Sequence, residues 1–549
     1  MYFVKSKHLL RIISVICAVL LGSSIFTAQE AAAVSDSKFS MSYVYFGNTS
    51  SYTGMVDSTG GSLNDISPSY FDLNQDGSLK VTQALDTTFI SKMHKQGIKV
   101  TPFLSNHWDR QTGINALNNR EALAQQIADA IAKYNLDGVN VDLENLTEYQ
   151  RDSYSDFVRI LRSKLPAGKS LSAAVAPKPF AVAQGWQKSY DYGEMAKYCD
   201  YLMLMTYDQS YQGGPEGPVA SAQFVEDSII NALKEVPANK LVLGLAFYGR
   251  YWKQGSTYGG YGISASQVEE MVKKYRGVVT YDKAYQSPKA VITIKAGDGK
   301  PNINGSVLSA GKYTLWYENE ESIKYKLTLV QKYNLKGSGS WSLGQESAET
   351  WDYYKLWLNG CYFKDAQGHW AVDSIINVAM QEWMTGVSES LFLPEARLTR
   401  AQAATILVRA LGLDGIAVAG NAGFSDIAGH WAKNEIQIAK QYNIIQGIGN
   451  GKFGPDLPVT REQIAAMLAR LPLQLQGSPN GTVKFSDVTA TGNPWSYSAI
   501  KKMTGYGLLQ GYPDGLFHPA DKITRAQMAA IMDRASSYLE DGAVVASLP

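Results

Sequence analysis

The stretch LDGVNVDLEN, residues 136–145, decides the fold. Asn140, Asp142 and Glu144 stand two residues apart, with Val139, Val141 and Leu143 between them. In an extended strand, residues i, i+2 and i+4 share one face. The amide and the two acids therefore point one way and the three apolar side chains the other. Burying three such polar groups is costly unless they are put to use. A solvent-facing edge strand would tolerate them, but helix–strand units flank this segment on both sides, which marks an interior strand. Its polar face then lines the inside of a barrel and its apolar face packs on outer helices. Glu144 falls at the strand's C-terminal end, where barrel enzymes carry their catalytic groups.

Working outward, β-like runs at 41–46, 66–73, 97–104, 137–144, 170–176, 201–207, 241–248 and 339–343 alternate with amphipathic stretches such as 121–134 and 148–164. Eight strands with helical crossovers predict an α/β fold, a closed (β/α)8 TIM barrel over residues 34–355. The gap between the last two strands is long. It contains AVITIKAG and KYTLWYE, which predict a small α+β insertion over 252–318.

Beyond the barrel the chain repeats. Phe363, Phe424 and Phe485 open F-x-D patterns 61 residues apart. Each runs on to a tryptophan (Trp370, Trp431, Trp495), a helical stretch, an F-x-P turn and then LTRAQ, VTREQ or ITRAQ. Such a period means one supersecondary unit used three times, here helical and bounded at 360–415, 421–475 and 482–540. Thr399, Thr460 and Thr524 with Gln402, Gln463 and Gln527 fit the capping box that starts a helix. Arg400, Arg461 and Arg525 then occupy a first turn, where the helix dipole disfavours a cation. One unfavourable choice made three times points to a bound anion, which helix N-termini and arginine both favour.

Of the 549 residues, 45% are apolar and 18% charged, and the net charge is +1. That is a globular composition with no general attraction to nucleic acid. Lys5, Lys7 and Arg11, an apolar run from Ile12 to Phe26 and Ala31-Ala32-Ala33 predict a signal peptide over 1–33. The run is short of the roughly 20 residues a spanning helix needs, so a secreted chain with no membrane attachment after cleavage is expected. Cys199 and Cys361 lie far apart and predict no disulfide, Cys199 reading as a small core residue. Asp72, Asn74, Asp76 and Gly77 resemble half a calcium loop. Gln83 at the twelfth position cannot chelate as glutamate does, so a plain turn is expected. No metal and no cofactor are expected. His107-Trp108 either lines a cleft or packs a loop. YGRYW, 248–252, either floors a glycan groove or covers the barrel rim.

The motifs resemble a known family. DGVNVDLE is similar to the D-G-x-D-x-D-x-E signature of glycoside hydrolase family 18, the chitinase-like barrels. LMTYD (204–208) resembles the family's M-x-Y-D, LGLAFYGRYW (243–252) its seventh strand and GSGSWSLGQE (337–346) its last. The resemblance implies retaining, substrate-assisted hydrolysis of β-1,4 bonds next to N-acetylglucosamine. It implies Glu144 as general acid, Asp142 as the group that holds the acetamido N–H and stabilises the oxazolinium ion, and Tyr207 as donor to the acetamido oxygen. Met205, Asp208 and Trp341 would shape the sugar pocket, with Asn140 on its substrate-binding face. Asn140 stands where the family usually has aspartate, as in spore cortex-lytic N-acetylglucosaminidases, which moves the expected substrate toward peptidoglycan. Its amide is expected to donate to Asp142 and keep that carboxylate charged. A chitinase or endo-β-N-acetylglucosaminidase acting on chitin or N-glycans is one alternative. A non-catalytic wall-binding lectin is another, against which intact Asp142, Glu144 and Tyr207 argue. FSDIAGHWAKNEI and GYPDGLFHPADKITRAQMAAIM resemble S-layer homology domains. These imply attachment of the secreted protein to the bacterial cell wall or S-layer through secondary cell-wall polysaccharide, with the three arginines as its ligands. The first repeat, TGVSESLFLP, lacks the G-x-x-D-G turn of the third.

Overall fold

The computed structural model describes residues 37–417, 423–475 and 485–539. The expected signal peptide lies outside the described residues, as do parts of both stretches between repeats. Eight parallel strands form a closed ring. They are β1 (Phe39–Val44), β2 (Asp65–Pro68, resuming at Phe71–Leu73), β3 (Lys99–Val100, resuming at Phe103–Ser105), β4 (Gly138–Asp142), β5 (Ser170–Val175), β6 (Tyr201–Leu204), β7 (Leu241–Ala246) and β8 (Gly337–Trp341). Each pairs with the next, and β8 pairs back with β1, Phe39 opposite Gly337. β2 and β3 are each interrupted midway, and both halves of the one pair with both halves of the other. Pro102 sits in the second interruption, where its missing N–H removes a ladder donor. The described strands thus form the barrel, with β2 and β3 broken where continuous runs are expected.

The alternation in β4 holds. Val139, Val141 and Leu143 are fully buried in the layer shared with outer helices such as Arg120–Tyr134 and Arg151–Lys164. Met41, Tyr43, Phe103, Tyr201, Met203 and Val242 fill the lumen. Between β7 and β8 the chain builds a five-stranded antiparallel sheet with the helix Ala265–Tyr275. This sheet begins at Tyr248–Lys253, slightly earlier than expected, because that strand pairs with Tyr261–Ser264 and Gly311–Trp316 rather than extending β7.

Each repeat contributes two helices: Val372–Met380 with Arg400–Ala410, Lys433–Gln441 with Arg461–Leu468, and Tyr497–Gly505 with Arg525–Ala535. All three threonine–glutamine capping boxes form. The arginines expected to bind wall polysaccharide are engaged within the protein. Arg400, Arg461 and Arg525 are buried. Arg400 donates from Nε to Phe453 O at 2.9 Å and from Nη2 to Gln446 O at 2.8 Å, both in the second repeat. Arg461 does the same to Phe517 O and Gln510 O of the third. Arg525 reaches Phe392 O and Thr385 O of the first. Each guanidinium also lies over a phenylalanine ring of the repeat it enters, 4.5–4.6 Å from the centroid. Two carbonyls and an aromatic face satisfy a planar fork well. The three repeats therefore close into a ring, first to second to third to first.

Candidate active site

β4 ends at the barrel mouth with Asp142, and Glu144 follows one residue past Leu143. Asp142 is buried, and its Oδ1 has no hydrogen-bond partner among the described residues. Burial pushes its pKa up to about 7, with the charge of His107 pulling the other way. Glu144 is half-buried and its pKa is raised well above the usual carboxylate range, by burial first, then by the charges of Asp142 and Asp208. A carboxyl whose pKa is raised beside a second carboxyl is the arrangement general acid catalysis needs.

Asn140 departs from expectation. It is fully buried, two residues before Asp142 on β4. Its Nδ2 donates to Ser172 Oγ at 2.8 Å, and its Oδ1 accepts from Tyr43 OH at 2.9 Å. Both ends of the amide are thus engaged across the lumen, and none reaches Asp142. Burial raises the Asp142 pKa, and no hydrogen bond from the Asn140 amide favours its charged form.

Tyr207, Met205 and Asp208 follow β6. Burial raises the Tyr207 hydroxyl pKa, and the nearby charges of Tyr248, Asp142, Glu144 and Asp208 raise it further. Asp208 adopts φ 58°, in the left-handed region. Its Oδ1 accepts from Tyr248 OH at 2.6 Å and from Arg250 Nη2 at 2.6 Å. The YGRYW stretch is thereby assigned: Tyr248 and Arg250 hold Asp208 from the inserted sheet. Met205 is buried under the site. Trp341, at the end of β8, packs against Tyr43, Tyr45 and Phe103 with ring centroids 5.2, 5.5 and 5.9 Å away. Tyr45 and Phe46 extend this aromatic surface to the exposed rim.

The loop after β3 completes the mouth. His107 Nε2 is 2.7 Å from Asp72 Oδ1, and the half-exposed Trp108 meets Trp186 at 5.1 Å. Asp72 is thereby committed, and Asp76 Oδ1 accepts from the Ser78 N–H at 2.9 Å, so residues 72–78 form a hairpin turn. Sequence reasoning missed Asn106, which bonds both backbone groups of Glu144. It also missed Arg110, whose Nε and Nη2 donate to Asn145 O and Oδ1. Nothing in the spacing of either residue marks it, since each acts on a residue just past β4 that is far from it in sequence.

Comparison with known proteins agrees with this geometry. The chain is 30% identical over 237 residues to the cortical fragment-lytic enzyme of Bacillus subtilis, covering 42% of this chain and 52% of that one. It therefore spans about half the length of that relative. It is 26% identical over 302 residues to the uncharacterized glycosylase YvbX of Bacillus subtilis, covering 53% and 83% of the two chains. Its fold is similar to that of the Bacillus cereus spore cortex-lytic enzyme SleL, with TM-score 0.51 and 22% identity over 58% of this chain and 74% of the other. It is equally similar to a chitinase of Chromobacterium violaceum, with TM-score 0.51 and 22% identity over 58% and 98%. Residues 362–404, 423–465 and 484–529 each match the S-layer homology domain, a module of cell-wall and S-layer attachment. Residues 41–346, more than half the chain, match the glycosyl hydrolases family 18, and the chain belongs to that family.

Proposed function

We propose that the protein hydrolyses the β-1,4 bond on the reducing side of N-acetylglucosamine in peptidoglycan while held to the wall by its three repeats. One observation carries the reading: Glu144, its pKa raised above the ordinary carboxylate range, stands two residues beyond a buried Asp142 whose Oδ1 has no partner among the described residues. Glu144 gives its proton to the glycosidic oxygen. The acetamido carbonyl oxygen of the same sugar attacks the anomeric carbon as the C–O bond breaks. Asp142 accepts from the acetamido N–H and stabilises the positive oxazolinium ion that forms, and Tyr207 OH donates to the acetamido oxygen. Glu144, now a carboxylate, takes a proton from the water that opens this intermediate, which retains the anomeric configuration.

The likeness to a cortical fragment-lytic enzyme and the wall-attachment repeats support peptidoglycan as substrate. The test is mass spectrometry of products from peptidoglycan and chitin oligomers digested side by side. Peptidoglycan fragments ending in N-acetylglucosamine are expected, with Glu144→Gln lowering turnover by about 10²–10⁴-fold. Near-native turnover by Glu144→Gln on either glycan ends the reading of Glu144 as the acid. Cleavage of chitin alone ends the substrate assignment.

A further inference from the structure

We propose that Asn106 is a positioning residue for catalysis: its side-chain amide sets the place of Glu144 by pairing with both backbone groups of that residue. The inference rests on the reading of Glu144 as the acid. The parallel pairing of β3 with β4 ends at Ser105 opposite Asp142. One step further the backbones no longer pair, and the carboxamide of Asn106 takes over. Its Oδ1 accepts from Glu144 N–H at 2.9 Å, and its Nδ2 donates to Glu144 O at 2.9 Å. The second Nδ2 proton goes to Asp109 O at 2.8 Å, tying the clamp to its own loop. The N–H of Glu144 can only donate, so the amide orientation is fixed by its partners.

The arrangement is tightly packed. Asn106 is 3% exposed. Gly113 makes room for it, since a Cβ there would lie 3.0 Å from Asn106 Nδ2. The next residue of β4's continuation is held by the same loop. Asn145, at φ 57°, accepts from Arg110 and donates from Nδ2 to Trp108 O at 2.8 Å. No hydrogen bond among the described residues restrains the Glu144 carboxyl itself. Its position is therefore inherited from its backbone, and the backbone is held by Asn106. Displacement of a reacting group by about 1 Å is enough to cost on the order of 10²-fold in rate.

The experiment compares Asn106→Ala, Asn106→Asp and Glu144→Gln in the full chain. The probes are soluble peptidoglycan glycan strands and N-acetylglucosamine oligomers. Asn106→Ala is expected to lower kcat by about 10²-fold with KM within about threefold, because the sugar-binding groups stay in place. Asn106→Asp keeps the acceptor but turns a charged oxygen toward Glu144 O at neutral pH. When that new carboxyl is protonated it can both accept and donate, so the kcat of this variant relative to wild type is expected to recover as pH falls. Three outcomes overturn the proposal. One is wild-type kcat in Asn106→Ala beside an inactive Glu144→Gln. Another is activity loss that merely follows the unfolded fraction, with no pH rescue. The third is an active Glu144→Gln, which removes the acid reading and the proposal with it.

Discussion

Glu144 must be protonated to act as an acid, so its rate falls as pH rises through its pKa. Asp142 and Asp208 both hold that pKa up. Asp208→Asn removes one negative charge and frees the Arg250 guanidinium that Asp208 now pairs with at 2.6 Å. Both changes favour the Glu144 carboxylate, so the alkaline limb of kcat/KM is expected to move to lower pH. An unmoved or raised limb would show that Asp208 exerts no field on the acid. Asn140 offers a second measurement. Asn140→Asp puts a carboxyl into a fully buried site between Tyr43 and Ser172. Its folded pKa then lies above the unfolded value of about 3.9. The folded state binds more protons in that window, so stability is retained below about pH 4 and lost as pH rises through the folded pKa. The gap in thermal midpoint between wild type and Asn140→Asp is expected to widen from pH 4 to neutrality. A constant gap would mean the new group is not titrating in the fold.

β4 was legible because its period of two separates three polar from three apolar side chains in a single run. The helix starts of the repeats were legible because capping is local, needing only Thr and Gln three residues apart. What stayed hidden depends on neighbours across the sheet. Asn140 looked available to a sugar, yet Tyr43 on β1 and Ser172 on β5 take its amide, and neither lies near it in sequence. Asn106 was invisible for the same reason. The contacts of the repeat arginines are hidden because their partners lie 46 to 140 residues away in another repeat. Their burial gives a direct measurement. Arg461→Ala leaves the carbonyls of Phe517 and Gln510 without their donor, at a cost of about 1–3 kcal/mol. The repeats are expected to unfold at lower denaturant, with hydrolysis of soluble oligosaccharides unchanged. Arg461→Lys should not restore stability, since one ammonium cannot fork to two carbonyls. Unchanged unfolding of Arg461→Ala would return these residues to the status of ligands.

At the scale of the molecule, an anchor is attached to a barrel by a very short link. The last barrel helix, Thr350–Leu358, is followed at once by Cys361 and Tyr362, and Tyr362 packs on Trp357 at 5.8 Å. Lys355 also pairs with Asp373 of the first repeat at 2.5 Å. The barrel mouth lies at the C-terminal ends of β4, β6 and β8, and none of the groups placed there belongs to a repeat. Catalysis and attachment should therefore separate. Removing residues 360–549 is expected to abolish sedimentation with purified cell walls while hydrolysis of soluble oligosaccharides continues, at some loss of stability from uncovering Trp357. Within the anchor the three repeats should not separate. In a linear stack, loss of a terminal repeat costs one interface and leaves the others standing. Here the third repeat both receives Arg461 and sends Arg525 back to the first. Deleting everything from residue 476 onward breaks two interfaces of the ring, so wall retention is expected to fall to that of the barrel alone rather than by a third. Retention near two-thirds of the full chain would show that the repeats bind independently and that closure of the ring is structural only.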